Sequence, residues 1–249
     1  MSEQDLDKCH TKLCLEKHNR KSYDKEEPVS VKVTRRLREK NKRFFANDNI
    51  ADFLEAGEKE ALIEEATVKF ADVLKSLIID IENDPNSEDT PHRLAKMYFK
   101  ELMSGRYEKA PKSTAFPNTG VEKYKGMLVV RADLKSMCSH HHQPVWGTAF
   151  IGVILDEKAL GLSKYTRIAQ WTARRGTLQE QLCSEIARNI MKAAATEDVA
   201  VYIEANHGCC FFRGIGMSNS TTQTTVLNGC FKEADVKKEF FDNIQLQKN

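Results

Sequence analysis

The chain has 249 residues, 41% hydrophobic and 30% charged, enough to bury one substantial core and to form one or two domains. No apolar run of membrane-spanning length occurs, and the N-terminus, MSEQDLDKCHTK, is charged where an export signal is apolar, so the expectation is a cytoplasmic protein, neither inserted nor secreted. Seven cysteines without an export signal favour thiols or metal ligands over a disulfide framework, and a net charge of +2 selects no class of partner.

The charge is unevenly spread. Residues 1–44 carry 13 Lys and Arg against 8 Asp and Glu, and KVTRRLREKNKR within them has seven basic residues and one acid. Such a run can touch a polyanion, but it lacks aromatic interleaving and base-reading motifs. Residues 1–49 are therefore expected to be a solvated, disordered basic arm with no firm nucleic-acid signal. Cys9, His10, Cys14 and His18 lie in it at a spacing that fits no common zinc module.

From Glu58 to Ile81, apolar residues recur at Leu62, Ala66, Phe70, Leu74, Leu77, Ile78 and Ile81, steps of three and four that predict one long amphipathic helix. A second helix is expected to open at a capping Thr90 with Pro91 behind it, to align Leu94, Tyr98 and Leu102, and to stop at Gly105. Residues 50–110 thus read as a helical segment. Residues 106–124, rich in Pro, Lys, Ser and Gly, read as a connecting loop.

The pattern then changes, and residues 111–249 read as a separate α+β domain. GMLVVRADLKSM and VWGTAFIGVIL predict two strands of a hairpin, LSKYTRIAQWTARR and LQEQLCSEIARNIMKAAA two helices, and VAVYIEANH and CCFFRGIG two further strands. The order is ββααββ.

Between the hairpin strands lies MCSHHHQP, residues 137–144, a cysteine and three of the chain's seven histidines. A catalytic zinc takes three ligands from Cys, His or carboxylate and keeps a fourth position for water. Cys138 and one histidine of residues 140–142 supply two, and Cys209 or Cys210 in EANHGCCFFRG supplies a third if its strand lies alongside the hairpin. A free cysteine is also commonly a small buried hydrophobe, so the spacing alone leaves both readings open.

The motifs EDTPHRLAKMYFKELMSG, CSHH, LGLSKYTRIAQ, RRGTLQEQL, HGCCFFRGI and NSTTQTT resemble, in order and interval, those of GTP cyclohydrolase I. The resemblance runs from about residue 58 to 245. It implies a tunnelling fold, in which ββααββ subunits join their sheets into a barrel and two pentameric rings stack as a homodecamer. It also implies hydrolytic opening of the guanine imidazole ring of GTP, with release of formate and formation of 7,8-dihydroneopterin triphosphate, in pterin biosynthesis.

Carried over residue by residue, it makes Cys138, His141 and Cys209 ligands of Zn2+, and His140 and His207 the catalytic histidines. Cys210 becomes a bystander in the strand. Zinc would activate water for attack at C8, with His207 protonating N7 and His140 positioning water or relaying protons. Glu180 matches the carboxylate that accepts hydrogen bonds from N1–H and the 2-amino group of guanine. Lys164, Arg167 and Arg213, with Ser163 as a hydroxyl donor, match the triphosphate contacts, and Arg93 would reach the phosphates from a neighbouring subunit. Taken singly, Glu180 and each cation would read as surface charges.

Two positions depart from the family pattern. Ser139 stands where glutamate is usual and His142 where an apolar residue is usual. Both bear on rate and specificity more than on fold, and they admit a relative acting on another guanine nucleotide such as dGTP, or an inactive zinc-binding regulatory subunit. CSHH and HGC together argue against a pterin synthase with three zinc histidines or a nitrile reductase with a cysteine nucleophile.

Overall fold

Val33 and Leu37 stand one helical turn apart in the basic run, and that spacing decides how the run folds. In the computed structural model, which describes residues 27–118, 123–217 and 220–248, helix α1 (Val29–Glu39) buries these two side chains against Ile50, with Phe44, Phe53 and Leu54 around them. Its cations are used locally. Arg36 makes a fork to Glu58 at 2.7 and 2.9 Å and reaches Glu55 at 2.8 Å; Arg35 pairs with Glu27, and Arg43 with Asp48. The arm expected to be solvated as far as residue 49 is therefore folded from residue 29, because two apolar residues on one face and charges on the other, Arg35 and Arg36 among them paired, make it amphipathic. Residues 1–26, with Cys9, His10, Cys14 and His18, lie outside the described residues.

The chain divides into two compact units, one ending at Glu108 and one beginning at Lys109. In the first, helix α2 (Glu58–Ser76) buries Leu62, Ile63, Thr67, Ala71 and Leu74. It stops short of Ile81: Ile78 takes a left-handed φ of 60° and is 94% exposed, so Leu77 and Ile78 leave the expected apolar line, and Ile81 returns to pack on Ala71 and Leu74. Helix α3 (Thr90–Met97) has Asp89 rather than Thr90 before its first turn, runs on as a π turn (Tyr98–Leu102), and is followed by α4 (Ser104–Tyr107). Tyr98 stacks on Phe70 at 5.5 Å.

The second unit is α+β. Strand β1 (Ala115–Pro117), inside the stretch expected to be loop, pairs with β4 (Lys158–Leu160). Strands β2 (Met127–Cys138) and β3 (Pro144–Ile154) form the expected hairpin. Helix α5 (Leu162–Ala173), the two-residue strand β5 (Gly176–Thr177), helix α6 (Gln179–Ala194) and strand β6 (Val199–His207) follow.

The fourth strand of the pattern is not CCFFRGIG. That segment begins as a helical turn, α7 (Gly208–Phe211), and the closing strand is β7 (Thr221–Leu227). Phe211 and Phe212 both turn to Trp146, at 6.0 and 6.3 Å, instead of alternating across a sheet, and Gly214 and Gly216 take left-handed φ of 67° and 61°, which no strand sustains. TTQTTVL is β-branched and polar enough for an outer strand. Cys210 thus lies in the turn, not in a strand. A last helix, α8 (Ala234–Lys248), has no counterpart in the sequence expectations.

The sheet order is β5-β2-β3-β6-β7, antiparallel except for β5 beside β2. One face carries Ala132, Leu134, Ile151, Val201 and Ile203 against Leu182, Ile186 and Ile190 of α6. The other carries Phe150 and Tyr202 against Phe231 and the Phe240 and Ile244 of α8. Gly152 permits this second layer, since a Cβ there would meet the Phe240 ring at 2.8 Å. The C-terminus is tied down too: Lys248 and Tyr202 both engage Glu204.

Phe240→Ala should therefore cost about 3–5 kcal/mol in chemical denaturation, since it empties the centre of that second layer. In the first unit, the Arg36 guanidinium holds the Glu58 carboxyl below the usual carboxylate range, against the opposing effect of burial. A depressed folded-state value means the stabilisation is present above the usual range and is lost as pH falls through the lower one. Arg36→Met should lower the unfolding midpoint at neutral pH and remove that part of the acid sensitivity, read by denaturation at a series of pH values.

Candidate metal centre

The last pair of the β2–β3 hairpin is Met137 with Pro144, so residues 138–143 form the connection. Cys138 N–H donates to the Gln143 carbonyl and His142 N–H to the Cys138 carbonyl, both at 2.9 Å, closing a turn that passes through a left-handed His142 (φ 51°). The rings of His140 and His141 are 6.3 Å apart and 82° to each other, so the two imidazoles do not share a direction.

The second cysteine arrives by register. His207, the last residue of β6, pairs with Val145, and the chain then turns back over the hairpin end. Gly208 makes that approach: a Cβ would stand 3.0 Å from the Pro144 carbonyl oxygen. On the other side, β5 pairs Thr177 with Cys138, which fixes the start of α6 beside the same turn.

Cys138, His141 and Cys209 are brought together, their ligand atoms all within 4.8 Å of one another, and Cys210 is not part of the group. Tetrahedral zinc with Zn–S near 2.3 Å and Zn–N near 2.0 Å needs ligand atoms about 3.5–4 Å apart, so the set closes on an ion with small side-chain movements. The chemistry of the donors agrees. Burial pushes the Cys209 thiol up to about 11, and the neighbouring Cys138 and Cys210 sulfurs push it the same way. A dication between the sulfurs reverses that penalty. Cys138 closes the inner side of the group and His141 lies exposed at its outer side.

His207 is half-buried, and its Nε2 lies 2.7 Å from Gln179 Oε1. Burial lowers its pKa, while the Glu180 carboxylate pulls the other way, which places Glu180 within electrostatic reach of the ring. His140 is exposed on the turn. Ser139 is half-buried, with its N–H toward the Thr177 carbonyl at 3.4 Å.

Ser163, Lys164 and Arg167 occupy the first two turns of α5, and Arg213 follows α7. Among the described residues Lys164, Arg167 and Arg213 carry no ion pair, unlike Arg36. Arg93 belongs to the first unit, on α3, paired with Asp89 at 3.4 Å. Gln179 is the site residue that the sequence reading missed. A polar residue at a helix start reads as solvent-facing, and only its adjacency to Glu180 in LQEQL pointed to it.

A family model described as GTP cyclohydrolase I matches residues 68–245. The chain belongs to the GTP cyclohydrolase I family. A Flavobacterium johnsoniae relative named GTP cyclohydrolase 1 is 38% identical over 189 residues, covering 75% of this chain and 83% of its own. Relatives of the same name from Aeromonas salmonicida and Campylobacter concisus are 39% and 38% identical, each covering 70% of this chain and 79% and 94% of their own. The matched region contains all three grouped ligands, both halves of the ββααββ pattern and most of α8. The first 67 residues, α1 among them, lie outside the GTP cyclohydrolase I match.

If the three side chains are the ligand set, Cys138→Ala and Cys209→Ala should each drop the metal content of the purified protein below about a tenth of the parent's, by elemental analysis. His142→Ala should leave it unchanged.

Proposed function

We propose that this chain is a zinc-dependent GTP cyclohydrolase I, which hydrolyses the guanine imidazole ring of GTP, releases C8 as formate and yields 7,8-dihydroneopterin triphosphate, a pterin precursor. One observation carries the reading: in a member of this family, the Cys138, His141 and Cys209 donors group at the sheet end where His207 and the start of α6 also lie. A zinc ion held by those donors would supply an activated water near neutral pH.

The chain's own residues do the rest. The Glu180 carboxylate accepts from N1–H and the 2-amino group of guanine, a pair that adenine does not offer. Ser163, Lys164, Arg167 and Arg213 hold the triphosphate, and the three cations, which carry no ion pair among the described residues, are available for it. His207 delivers a proton to N7, making that nitrogen a better leaving group once C8 is attacked, and His140 orients the attacking water.

The same reading assigns a tunnelling-fold homodecamer in the cytoplasm, with sites between subunits and Arg93 reaching the phosphates of a neighbour. The sheet supports an edge-to-edge assembly. Among the described residues, β7 pairs only with β6, and the outer side of β2 is paired only at Met137 and Cys138. An inactive subunit or a dGTP-specific relative is not favoured, since the three donors and both histidines are retained and the relatives carry the enzyme's name.

Zinc-loaded protein incubated with GTP and, separately, dGTP should release formate and dihydroneopterin triphosphate from GTP, read by mass spectrometry. Product from dGTP alone would overturn the substrate, and consumption of neither would overturn the enzyme. Glu180→Ala should weaken GTP binding by about 10²-fold, the worth of two hydrogen bonds to a charged group, with zinc retained. A monomer by light scattering would overturn the assembly.

A further inference from the structure

Gln179 is 3% exposed although it opens α6, and its carboxamide is turned inward. Its Nε2 lies 2.9 Å from the Thr222 carbonyl oxygen, 3.3 Å from that of Ile203 and 3.2 Å from Thr224 Oγ1, while Oε1 faces His207 Nε2 at 2.7 Å. Ile203 and Thr222 sit on neighbouring strands, β6 and β7, so one side chain ties the start of α6 to both.

This arrangement settles which end of the amide is which. Main-chain carbonyls only accept, so the end facing Ile203 and Thr222 must be the NH2 group; the flipped amide would set oxygen against two oxygens. The oxygen therefore faces His207, and His207 Nε2 must carry a hydrogen to meet it. In the neutral ring the free lone pair then sits on Nδ1. Two strands that carry none of the three grouped donors thus fix both the tautomer and the rotation of the ring.

We propose that Gln179 is a positioning residue of the reaction: by holding His207 Nε2 as an N–H, it makes Nδ1 the atom through which His207 passes its proton. This rests on the role given to His207 above. The carboxamide acts through the imidazole and need not touch the substrate. It differs from a structural tie between helix and sheet because its effect is directed at one nitrogen of one ring.

The test uses the zinc-loaded full-length chain. Gln179→Met keeps length and burial but offers no oxygen; Gln179→Glu keeps an oxygen toward the ring and, as the neutral acid, an O–H for Thr222. With GTP, Gln179→Met should lower kcat by about 10²-fold while KM and zinc content stay within about threefold, and Gln179→Glu should recover at least about tenfold of that loss. Side-chain 15N shifts of His207, assigned by their loss in His207→Asn, should report the Nε2–H tautomer in the parent and in Gln179→Glu, and a tautomer mixture in Gln179→Met.

An Nδ1–H ring in the parent overturns the proposal, whatever the activities. So does a Gln179→Met enzyme with the parent kcat when His207→Asn is impaired. Parent activity in both variants overturns it as well, and with the expected tautomer that result places the fault in the role of His207 rather than in the hydrogen bond. If Gln179→Met does not fold, the parent's tautomer and the Gln179→Glu kinetics still decide.

Discussion

Two sulfurs from distant parts of the chain, the buried Cys138 and the half-buried Cys209, are held side by side at one end of a sheet, and much of the second unit can be understood as the framework that keeps them there. Burial and its sulfur neighbours push the Cys209 thiol up to about 11, so it is the thiolate, the form that binds metal, that is costly there without a cation beside it. The register of β3 with β2 and β6 sets the position of both cysteines, Gly208 lets the chain after β6 pass close to Pro144, and β5 pairs with Cys138 on the other side of the turn. Metal affinity here is coupled to strand register. A slip of one residue in β6 would reverse the facing of its side chains and carry Cys209 out of reach.

The sheet tolerates so exacting a register because it is covered on both faces. VAVYIEA reads as an almost continuous apolar run, where a half-exposed strand would alternate, because α6 packs on one side and the Phe231, Phe240 and Ile244 layer on the other. Burial on both sides penalises any sliding. The donors themselves stand at strand ends and turns, where backbone direction can change sharply, so the scaffold is rigid and the chemistry is placed at its rim.

The sequence was most legible where a periodic pattern and a packed face coincide. The hairpin, α5, α6 and β6 follow from alternation or three-and-four spacing, while the three grouped side chains follow from the resemblance of CSHH and HGC to the family and not from their spacing alone. It was least legible where tertiary contacts override local preference. CCFFRGIG has the composition of a strand, but two aromatic rings seeking Trp146 and two left-handed glycines make it a turn. TTQTTVL was passed over because its polar residues hide a β-branched outer strand. The basic run masked α1, whose helical face consists of only two deeply buried side chains. Gln179 is the clearest case: its importance lies in what Ile203, Thr222 and His207 present to it, and no local pattern encodes that.

Ser139 is best understood by the charge it does not bring. A dication held by Cys138 and Cys209 as thiolates would leave the centre near neutral, and a glutamate at this position, the usual residue by resemblance, would add a negative charge on the turn beside it. Serine leaves Glu180 as the carboxylate within electrostatic reach of His207. On the proposed reading, that divides the labour cleanly: the metal group and the two histidines handle C8 and N7, Glu180 reads the base, and the cations of α5 and Arg213 meet the triphosphate without a second carboxylate competing for them. On that reading, the serine would shift the balance of charge toward an anionic substrate without altering the three grouped donors.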